Sequence, residues 1–369
     1  MKLFDCHCHA HMGPLGVAPL LQPPLHPPTA DGYPPLPLHP APDNNAPSLH
    51  GAVFAGAAIM STHPRDFDAV NSAVSTLGKR PSCRGVAGYG IHPWFLHEVV
   101  LQSSNKTDVD VEDEDWWLLE MKRHLIAHPD SIVGEIGLDG ARWREGDYDA
   151  NNSYDDVPKE QRRYNQEAKG DILNNVHKCK RRILSCPMDM QRRAFEQQLL
   201  LAAELQRPVS IHVVRAWGEL FDSFDAVREL MEQRIAVDGE EEPTTTKRSE
   251  KRRKRRLLTL PPKIYFHAFS GKAGIIPSIL AMCEKGNVSR DNVYFGFAPA
   301  IPNYYSPKTP SIMKQIGLRQ LVLETDLEDA TNGWEDLKRG VEGLAMALDM
   351  DVEDVAEQTY ENAERLYLL

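Results

Sequence analysis

Two hydrophobic patterns alternate along this chain: short apolar runs, and longer stretches in which apolar residues recur every three or four positions. The runs predict eight strands, namely Lys2–His9, Ala52–Met60, Cys83–His92, Ser131–Asp139, Pro208–His212, Lys263–His267, Asn292–Phe297 and Gln320–Asp326. The periodic stretches predict helices, namely Trp116–His128, Met190–Gln206, Trp217–Gln233, Ala273–Glu284 and Trp334–Leu348. Nearly continuous apolar strands separated by helices indicate a parallel sheet that is buried on both faces.

Residues that can bind a metal close or follow five of these runs. They are His7, His9, Glu135, His212, His267 and Asp326. Side chains so far apart in sequence can share an ion only where a fold gathers the ends of its strands, and the C-terminal rim of a (β/α)₈ barrel does this. The sequence therefore predicts a TIM barrel of the metal-dependent hydrolase type. A barrel of about 250 residues plus long loops fits one domain spanning residues 1–369.

Three segments depart from the barrel pattern and are interpreted as loop insertions. Pro14–Pro47 is rich in proline, which neither pairs within a sheet nor continues a helix, and we expect a mobile loop there. Gly140–Pro187 is polar and too long for an ordinary connection, so we place it above the active-site rim. Val237–Arg256 changes from acidic to strongly basic.

Composition and charge narrow the class of protein. The first residues lead straight into a strand without a signal-peptide pattern, and no apolar run is long enough to span a bilayer, so a soluble protein of the cytoplasm, the nucleus or both is expected. The six cysteines form no CxxC pair, which favours reduced thiols. Within a net charge of −11, Lys247–Arg256 carries +7 and the rest −18. Such an acidic body argues against broad adhesion to nucleic acid or membranes. The basic run itself is compatible with a solvated loop, a nuclear import sequence or a nucleic-acid contact.

The predicted ligands have the chemistry of a nitrogen and oxygen metal site. Strand alternation points His7 and His9 into the barrel mouth and Cys6 and Cys8 away from it, which argues against a Cys₂His₂ zinc site. Glu135 lies in an apolar strand, where an unpaired carboxylate would cost several kcal/mol to bury and a nearby cation removes that cost. Taken singly, His212 and His267 are compatible with a core histidine or a metal ligand. Together with His7 and His9 they favour a metal site. Without thiolates, the donors suit Zn, Mn, Co or Ni better than Mg.

The motifs together resemble the TatD family of metal-dependent deoxyribonucleases, which are amidohydrolase-type barrels. The matching segments are Asp5-Cys6-His7-Cys8-His9, Gly90-Ile91-His92-Pro93, Glu135-Ile136-Gly137-Leu138-Asp139, Ile211-His212, His267-Ala268-Phe269-Ser270-Gly271 and Glu324-Thr325-Asp326. Each motif alone is weak, but six in the family's order are specific. The resemblance runs to the C-terminal segment Tyr360–Leu366 and skips the three insertions.

The resemblance implies a site for two divalent metal ions. One ion would take His7, His9 and Asp326, the other His212 and His267, and Glu135 would bridge them. Two cations about 4 Å apart activate a water and stabilise the attacking and leaving oxygens of a phosphodiester. Asp326 would accept the proton, in preference to Glu324. His92, outside both ligand sets, would bind or protonate the scissile phosphate.

Some residues depart from the family pattern near the predicted mouth. The second histidine of the GxHPH motif is Trp94, which is compatible with stacking on a base or with packing under the rim. Arg215 stands one residue away from the family's arginine, so its phosphate contact is in doubt. Glu328 and Asp329 follow the ETD motif and would repel phosphate. The pattern resembles a divergent eukaryotic branch that includes fungal proteins described as mitotic-protein interactors.

Three functions therefore remain open from sequence. The first is a metal-dependent nuclease or phosphodiesterase, with DNA as the inferred substrate. The second is a barrel hydrolase that acts on an amide, ester or lactone, because the same activated water attacks carbonyl groups. The third is a binding protein that uses the proline-rich or charged insertions to hold a protein partner. A monomer is expected in each case.

Overall fold

A computed structural model of the chain describes residues 1–13, 16–21, 51–99, 115–141, 186–238 and 259–367. The described residues form one sheet of eight parallel strands in sequence order. The strands are β1 (Lys2–Cys8), β2 (Val53–Met60), β3 (Arg84–Tyr89), β4 (Ile132–Asp139), β5 (Val209–Val214), β6 (Ile264–Phe266), β7 (Val293–Gly296) and β8 (Leu321–Val322).

Backbone hydrogen bonds join the first and last strands and close the sheet. The N–H of Cys6 donates to the carbonyl of Leu323 at 2.8 Å, and the N–H of Asp326 donates to the carbonyl of His7 at 2.9 Å. A third bond runs from His9 to the carbonyl of Leu327 at 2.8 Å. The predicted (β/α)₈ barrel is therefore confirmed. Its C-terminal rim is where the ends of β1 and β8 meet.

Helices follow the strands around the outside of the barrel. They are α1 (Phe67–Gly78), α2 (Trp116–Ala127), α3 (Met188–Leu205), α4 (Trp217–Asp238), α5 (Ile276–Lys285), α6 (Thr309–Ile316), α7 (Gly333–Leu348) and α8 (Val352–Tyr367). The sequence pattern had predicted five of them and missed α1 and α6 between strands. These two are short, at 12 and 8 residues, so each offers few turns on which a periodicity can be recognised.

The strands end earlier than predicted next to two of the candidate ligands. β6 stops at Phe266 and β8 at Val322, so His267 and Asp326 project from the connections that follow. The left-handed backbone of Asp326, with a φ of 59°, and of Ala268, with a φ of 41°, turns the chain there. Ligands on such connections face the barrel mouth, as is general for this fold.

Two apolar layers hold the barrel together. One lies between strands and helices, and the other fills the interior with side chains from seven of the eight strands and from α8. Cys8 belongs to the outer layer, as predicted, but Cys6 packs in the interior with Phe4 and Met60. The expectation that Cys6 points away was wrong, because the register between β1 and β2 shifts between Asp5 and Cys8 and strict alternation fails there.

The predicted insertions fall largely outside the described residues. Of Pro14–Pro47, residues 16–21 are described; they include the 3₁₀ turn Ala18–Leu21, and Val17 and Leu20 are buried. Of Gly140–Pro187, only the ends are described, at residues 140–141 and 186–187. The basic run Lys247–Arg256 also lies outside the described residues. Among the described helices, none has the length and apolarity needed to cross a bilayer.

Candidate metal centre

The six predicted ligands and His92 meet at the C-terminal rim. Three groups of donors have ligand atoms close enough to hold a metal ion: His7 with Glu135 and His267, His7 with His9 and Asp326, and His92 with Glu135 and His212. None of these groups contains a thiol, in agreement with the nitrogen and oxygen site predicted from the sequence.

The carboxylate of Glu135 lies at the centre of the cluster, with a different set of histidines at each oxygen. Its Oε2 lies 3.5 Å from Nε2 of His7 and 3.1 Å from Nε2 of His9. Its Oε1 lies 3.3 Å from Nε2 of His92, 3.1 Å from Nδ1 of His212 and 2.5 Å from Nε2 of His267. The side chain is only 3% exposed. Although burial opposes its charge, the histidines, His267 foremost, hold the pKa of Glu135 well below its usual range.

The outward ring nitrogens of three histidines are held by neighbouring groups. Nδ1 of His9 lies 2.9 Å from the carbonyl oxygen of Met60, and Nδ1 of His7 lies 2.9 Å from Oγ of Ser210. Nε2 of His212 lies 3.4 Å from Oδ2 of Asp139. Metal-binding histidines in general have such partners, which fix the tautomer and the orientation of the ring.

These partners determine which nitrogen faces the centre. A carbonyl or carboxylate oxygen can only accept, so Nδ1 of His9 and Nε2 of His212 carry protons. In the neutral rings, the opposite nitrogens would direct lone pairs at Glu135 oxygens 3.1 Å away. That arrangement is repulsive unless a proton or a metal cation lies between the two atoms.

The protonation of the two histidines reflects the same geometry. Burial opposes a charge on His9, yet the hydrogen bond to Glu135 and the charges of Glu135 and Asp326 raise its pKa to about 9. Burial also opposes a charge on His212, yet hydrogen bonds to Asp139 and Glu135 raise its pKa to about 9. The cluster attracts positive charge at two places, and its donor chemistry fits divalent cations.

His267 provides a second test of this fit. Both of its ring nitrogens are buried without a hydrogen-bond partner of acceptable geometry, although Nε2 lies against Glu135. Its ring stacks on that of His7, with centroids 3.8 Å apart and planes 4° apart. Buried polar atoms without partners are uncommon in folded proteins, and a metal ion would satisfy the ring nitrogen that carries the lone pair.

Asp326 and Glu324 occupy different environments despite their spacing. Oδ1 of Asp326 lies 3.6 Å from Nε2 of His7 and 3.7 Å from Nε2 of His9, at the mouth. Burial raises the pKa of Asp326. Glu324 instead accepts hydrogen bonds from the hydroxyl of Tyr265 and, at 2.7 Å, from the N–H of Ala268. A side chain at Gly296 would clash with it, since a Cβ there would lie 2.6 Å from the Glu324 carboxyl group. Glu324 therefore holds the turn after β6 in place.

The histidine within β5 and the histidine after β6 are not grouped as the two-ion assignment expects. His212 and His267 both approach Oε1 of Glu135, but their ring centroids are 5.4 Å apart, and no group of three contains both. His267 groups with His7, and His212 groups with His92. Glu135 is the donor that links all of them.

His92 lies beside this cluster and is held through its backbone and ring. Its Nδ1 accepts a hydrogen bond from the backbone N–H of Trp94 at 3.2 Å, so the neutral ring carries its proton on Nε2. Burial lowers its pKa to about 4. The preceding residue, Ile91, exchanges two hydrogen bonds with the side-chain amide of Gln198, at 2.7 and 3.3 Å. His92 thus presents an N–H to the centre.

The two other predicted substrate-binding residues differ in placement. Arg215 follows β5 with a left-handed backbone, and its side chain is exposed. The indole of Trp94 lies inside the rim, where its Nε1 donates to Oδ2 of Asp139 at 2.6 Å. Its ring meets that of His92 edge-on, with centroids 4.7 Å apart.

Sequence reasoning missed several residues that hold the ligands. Asp139 is four positions after Glu135 in β4 and therefore faces the same side, so strand alternation contained the information. Although burial opposes its charge, the hydrogen bond to His212 lowers the pKa of Asp139 to about 2. Gln191 and Gln198 lie four residues before and three residues after Phe195, so helical periodicity places them on the buried face, but it does not indicate their hydrogen-bond partners.

Comparisons with known proteins agree with this architecture. The profile of the family described as TatD related DNase matches residues 4–368. The chain is 26% identical over 337 residues to Cut9-interacting protein scn1 of Schizosaccharomyces pombe, covering 83% of this chain and 89% of that protein.

Two solved structures share the fold. YJJV, a TatD homologue from Escherichia coli K12, has a TM-score of 0.53 at 16% identity, over 100% of this chain and 98% of its own. A TatD family hydrolase from Entamoeba histolytica has a TM-score of 0.52 at 14% identity, over 85% of each chain. The family predicted from the motifs is confirmed, and the chain belongs to the TatD related DNase family of hydrolases.

Proposed function

We propose that this protein hydrolyses phosphodiesters with two divalent metal ions, and that DNA is its substrate. One observation carries the proposal: Glu135 directs one carboxylate oxygen at His7 and His9 and the other at His212 and His267. A carboxylate that directs its two oxygens at two sets of imidazoles can bridge two cations once the imidazoles are deprotonated. Family membership supports the hydrolase class.

Each ion would have its own protein ligands. His7, His9 and Asp326 would hold one, and His212 and His267 the other, with Glu135 shared. Zn, Mn, Co and Ni suit these donors better than Mg. When bound, such a pair supplies an activated water and stabilises both the attacking and the leaving oxygens of a phosphodiester.

Asp326 is the proposed general base. Its carboxylate lies at the mouth, and its Oδ1 is within 3.9 Å of a nitrogen of His7, His9 and His267. Glu324 is the poorer candidate, because Tyr265 and Ala268 already occupy its oxygens. Burial and the charge of Asp326 also raise the pKa of Glu324 well above its usual range.

His92 is proposed to bind the scissile phosphate by donating a hydrogen bond. Its proton lies on Nε2 because Nδ1 accepts from the backbone of Trp94. A ring that carries its proton on the inward nitrogen is a poor metal ligand and a good donor to a phosphate oxygen. The sequence left open whether His92 binds or protonates the phosphate, and we propose that it binds.

The acidic residues near the mouth are partly neutralised by local structure. Asp329 accepts hydrogen bonds from the N–H and hydroxyl of Thr331, at 2.9 and 2.6 Å, where a 3₁₀ turn leads into α7. One oxygen of its carboxylate is therefore engaged by the backbone N–H and the side-chain hydroxyl of Thr331. The exposed Arg215 remains available for a phosphate contact, which we propose as its role.

The test uses a labelled short oligonucleotide with Mn²⁺ or Mg²⁺. Asp326→Asn keeps the shape of the side chain but removes the base, so hydrolysis is expected to fall by at least about 10²-fold while DNA still binds. Wild-type turnover in this variant would remove Asp326 from the mechanism. Hydrolysis of amide, ester or lactone substrates without any cleavage of DNA would replace the proposed substrate class.

A second candidate function is the binding of a protein partner. The relative from Schizosaccharomyces pombe is named a Cut9-interacting protein, and the three insertions offer segments beyond the barrel. Under this proposal, deletion of residues 22–47, which spares the buried Val17 and Leu20, abolishes partner capture and leaves metal content unchanged. An intact partner complex after that deletion would exclude the proline-rich segment as the docking element.

A further inference from the structure

The indole N–H of Trp94 and the outward nitrogen of His212 meet at a single carboxylate oxygen. Oδ2 of Asp139 accepts from Nε1 of Trp94 at 2.6 Å and faces Nε2 of His212 at 3.4 Å. The three residues come from the ends of β3, β4 and β5, so the contact ties three rim connections together. The other oxygen of Asp139 accepts from the backbone of Ala141 at 2.8 Å.

We infer that Trp94 is a positioning residue that acts through Asp139 on His212. By holding Oδ2, the indole keeps the carboxylate where it fixes the proton of His212 on Nε2. Nδ1 of His212 is then directed at Oε1 of Glu135, 3.1 Å away. This inference rests on the proposed function only in taking His212 as a metal ligand.

The chemistry of tryptophan suits this position. An indole offers one N–H donor and no acceptor, and it does not ionise near neutral pH. Oδ2 of Asp139 therefore accepts from two donors, the indole N–H of Trp94 and the N–H of His212. The remainder of the ring is apolar and packs edge-on against His92 and His212, with centroids 4.7 and 6.1 Å away.

The rival role for Trp94 is a platform on which a DNA base stacks. The two roles predict opposite effects of two substitutions. Trp94→Phe keeps an aromatic face but removes the N–H, so stacking would survive and positioning would be lost. Trp94→His restores a ring N–H on a smaller ring, so positioning would be regained and stacking weakened.

The experiment titrates Zn²⁺ alone into the metal-free protein, which makes the result independent of any substrate. Trp94→Phe and Asp139→Asn are each expected to weaken one of the bound ions by about 10–100-fold, as is general for partners of metal ligands. Trp94→His is expected to recover most of the affinity. If Trp94→Phe fails to fold, Trp94→His and the isosteric Asp139→Asn decide the question by the same titration.

Trp117→Phe provides a matched control. Trp117 is a fully buried tryptophan of α2 whose Nε1 has no hydrogen-bond partner, so this variant loses similar ring volume without losing a donated bond. Its zinc affinity should equal that of the wild type. A comparable loss in this variant would attribute the effect of Trp94→Phe to general packing and overturn the inference.

The double variant Trp94→Phe with Asp139→Asn tests whether the two residues act in one chain. Zinc affinity should match that of Asp139→Asn alone, because the hydrogen bond that Trp94 donates can act on His212 only through the Asp139 carboxylate. Additive losses, or wild-type zinc affinity in Trp94→Phe with a raised KM for DNA, would contradict the inference. The proposed function is tested separately. A wild-type protein that holds both ions but does not hydrolyse DNA would contradict the proposed function and leave this inference standing.

Discussion

The two sides of the metal centre are supported in different ways. On the β1–β8 side, His7, His9 and Asp326 are held by the backbone bonds that close the barrel and by Asp5, a buried carboxylate. Asp5 accepts from the N–H of Thr325 at 3.0 Å, from its hydroxyl at 2.6 Å and from the N–H of His7 at 3.2 Å.

On the β3–β5 side, His92 and His212 depend on side chains. Asp139 holds His212, and Trp94 holds Asp139. Two buried glutamines of α3 hold the backbone: Gln198 at Ile91, and Gln191 at Asp139 by two bonds of 2.8 and 3.2 Å. The side where the two ends of the barrel sheet meet is therefore fixed by backbone hydrogen bonds and one buried carboxylate. The other side is fixed by hydrogen bonds from the side chains of Trp94, Asp139, Gln191 and Gln198, and Trp94 is also the residue that departs from the family pattern.

The largest effect is expected where the two sides meet. Glu135→Ala removes the carboxylate that lies within 3.5 Å of both histidine sets, so metal content and thermal stability should both fall. Metal analysis of the purified variant, together with its melting temperature at matched metal concentration, measures this. Two ions per chain at wild-type affinity in the variant would refute the bridging assignment.

The next effect tests the β1–β8 side. Asp5→Ala leaves the N–H and hydroxyl of Thr325 and the N–H of His7 without an acceptor, so the free energy of unfolding should fall by about 2–4 kcal/mol. Asp5→Asn keeps one acceptor oxygen and should lose less. Equal denaturant midpoints for wild type and the alanine variant would show that the backbone bonds alone close the barrel.

A pair of matched substitutions on one helix tests the β3–β5 side. Gln198→Met leaves the N–H and carbonyl of Ile91 without this partner, and Gln191→Met does the same to Asp139 and also to the carbonyl of Cys186. Each buried group left unpaired costs about 1–3 kcal/mol. The first should lower kcat without changing metal content, because Ile91 precedes His92. The second should also weaken metal binding, because Asp139 orients His212. Identical metal affinities in the two variants would remove the distinction between the two glutamines.

The smallest effect is expected from the basic run Lys247–Arg256, which belongs to neither side. The chain leaves α4 at Asp238 and re-enters at the start of β6, on the face of the barrel opposite the rim. We propose that the run assists nuclear import or encounter with long DNA. Its deletion should leave kcat on a short oligonucleotide within a few-fold of wild type and weaken salt-sensitive binding. A collapse of kcat with the fold and metal content intact would move the run into the active site.

The sequence predicted the barrel and the convergence of the candidate ligands better than the residues that support them. Candidate ligands such as His212 were predicted because they lie in or close to the ends of apolar runs, and the fold gathers the ends of such runs. The interior position of Cys6 was mispredicted, since a shift of register in β1 is not visible in alternation. Gln191 and Gln198 could not be assigned, because their partners are backbone groups whose positions exist only once α3 packs on β3 and β4.

We propose that two ions share Glu135, while His92 donates the N–H of its Nε2 to the phosphate and binds neither ion. Anomalous diffraction from crystals grown with Mn²⁺ tests it most directly. We expect two anomalous peaks. One should lie among His7, His9 and Asp326 and the other beside His212 and His267, with Glu135 contacting both ions. A single peak, or an ion coordinated by Nε2 of His92, would contradict it.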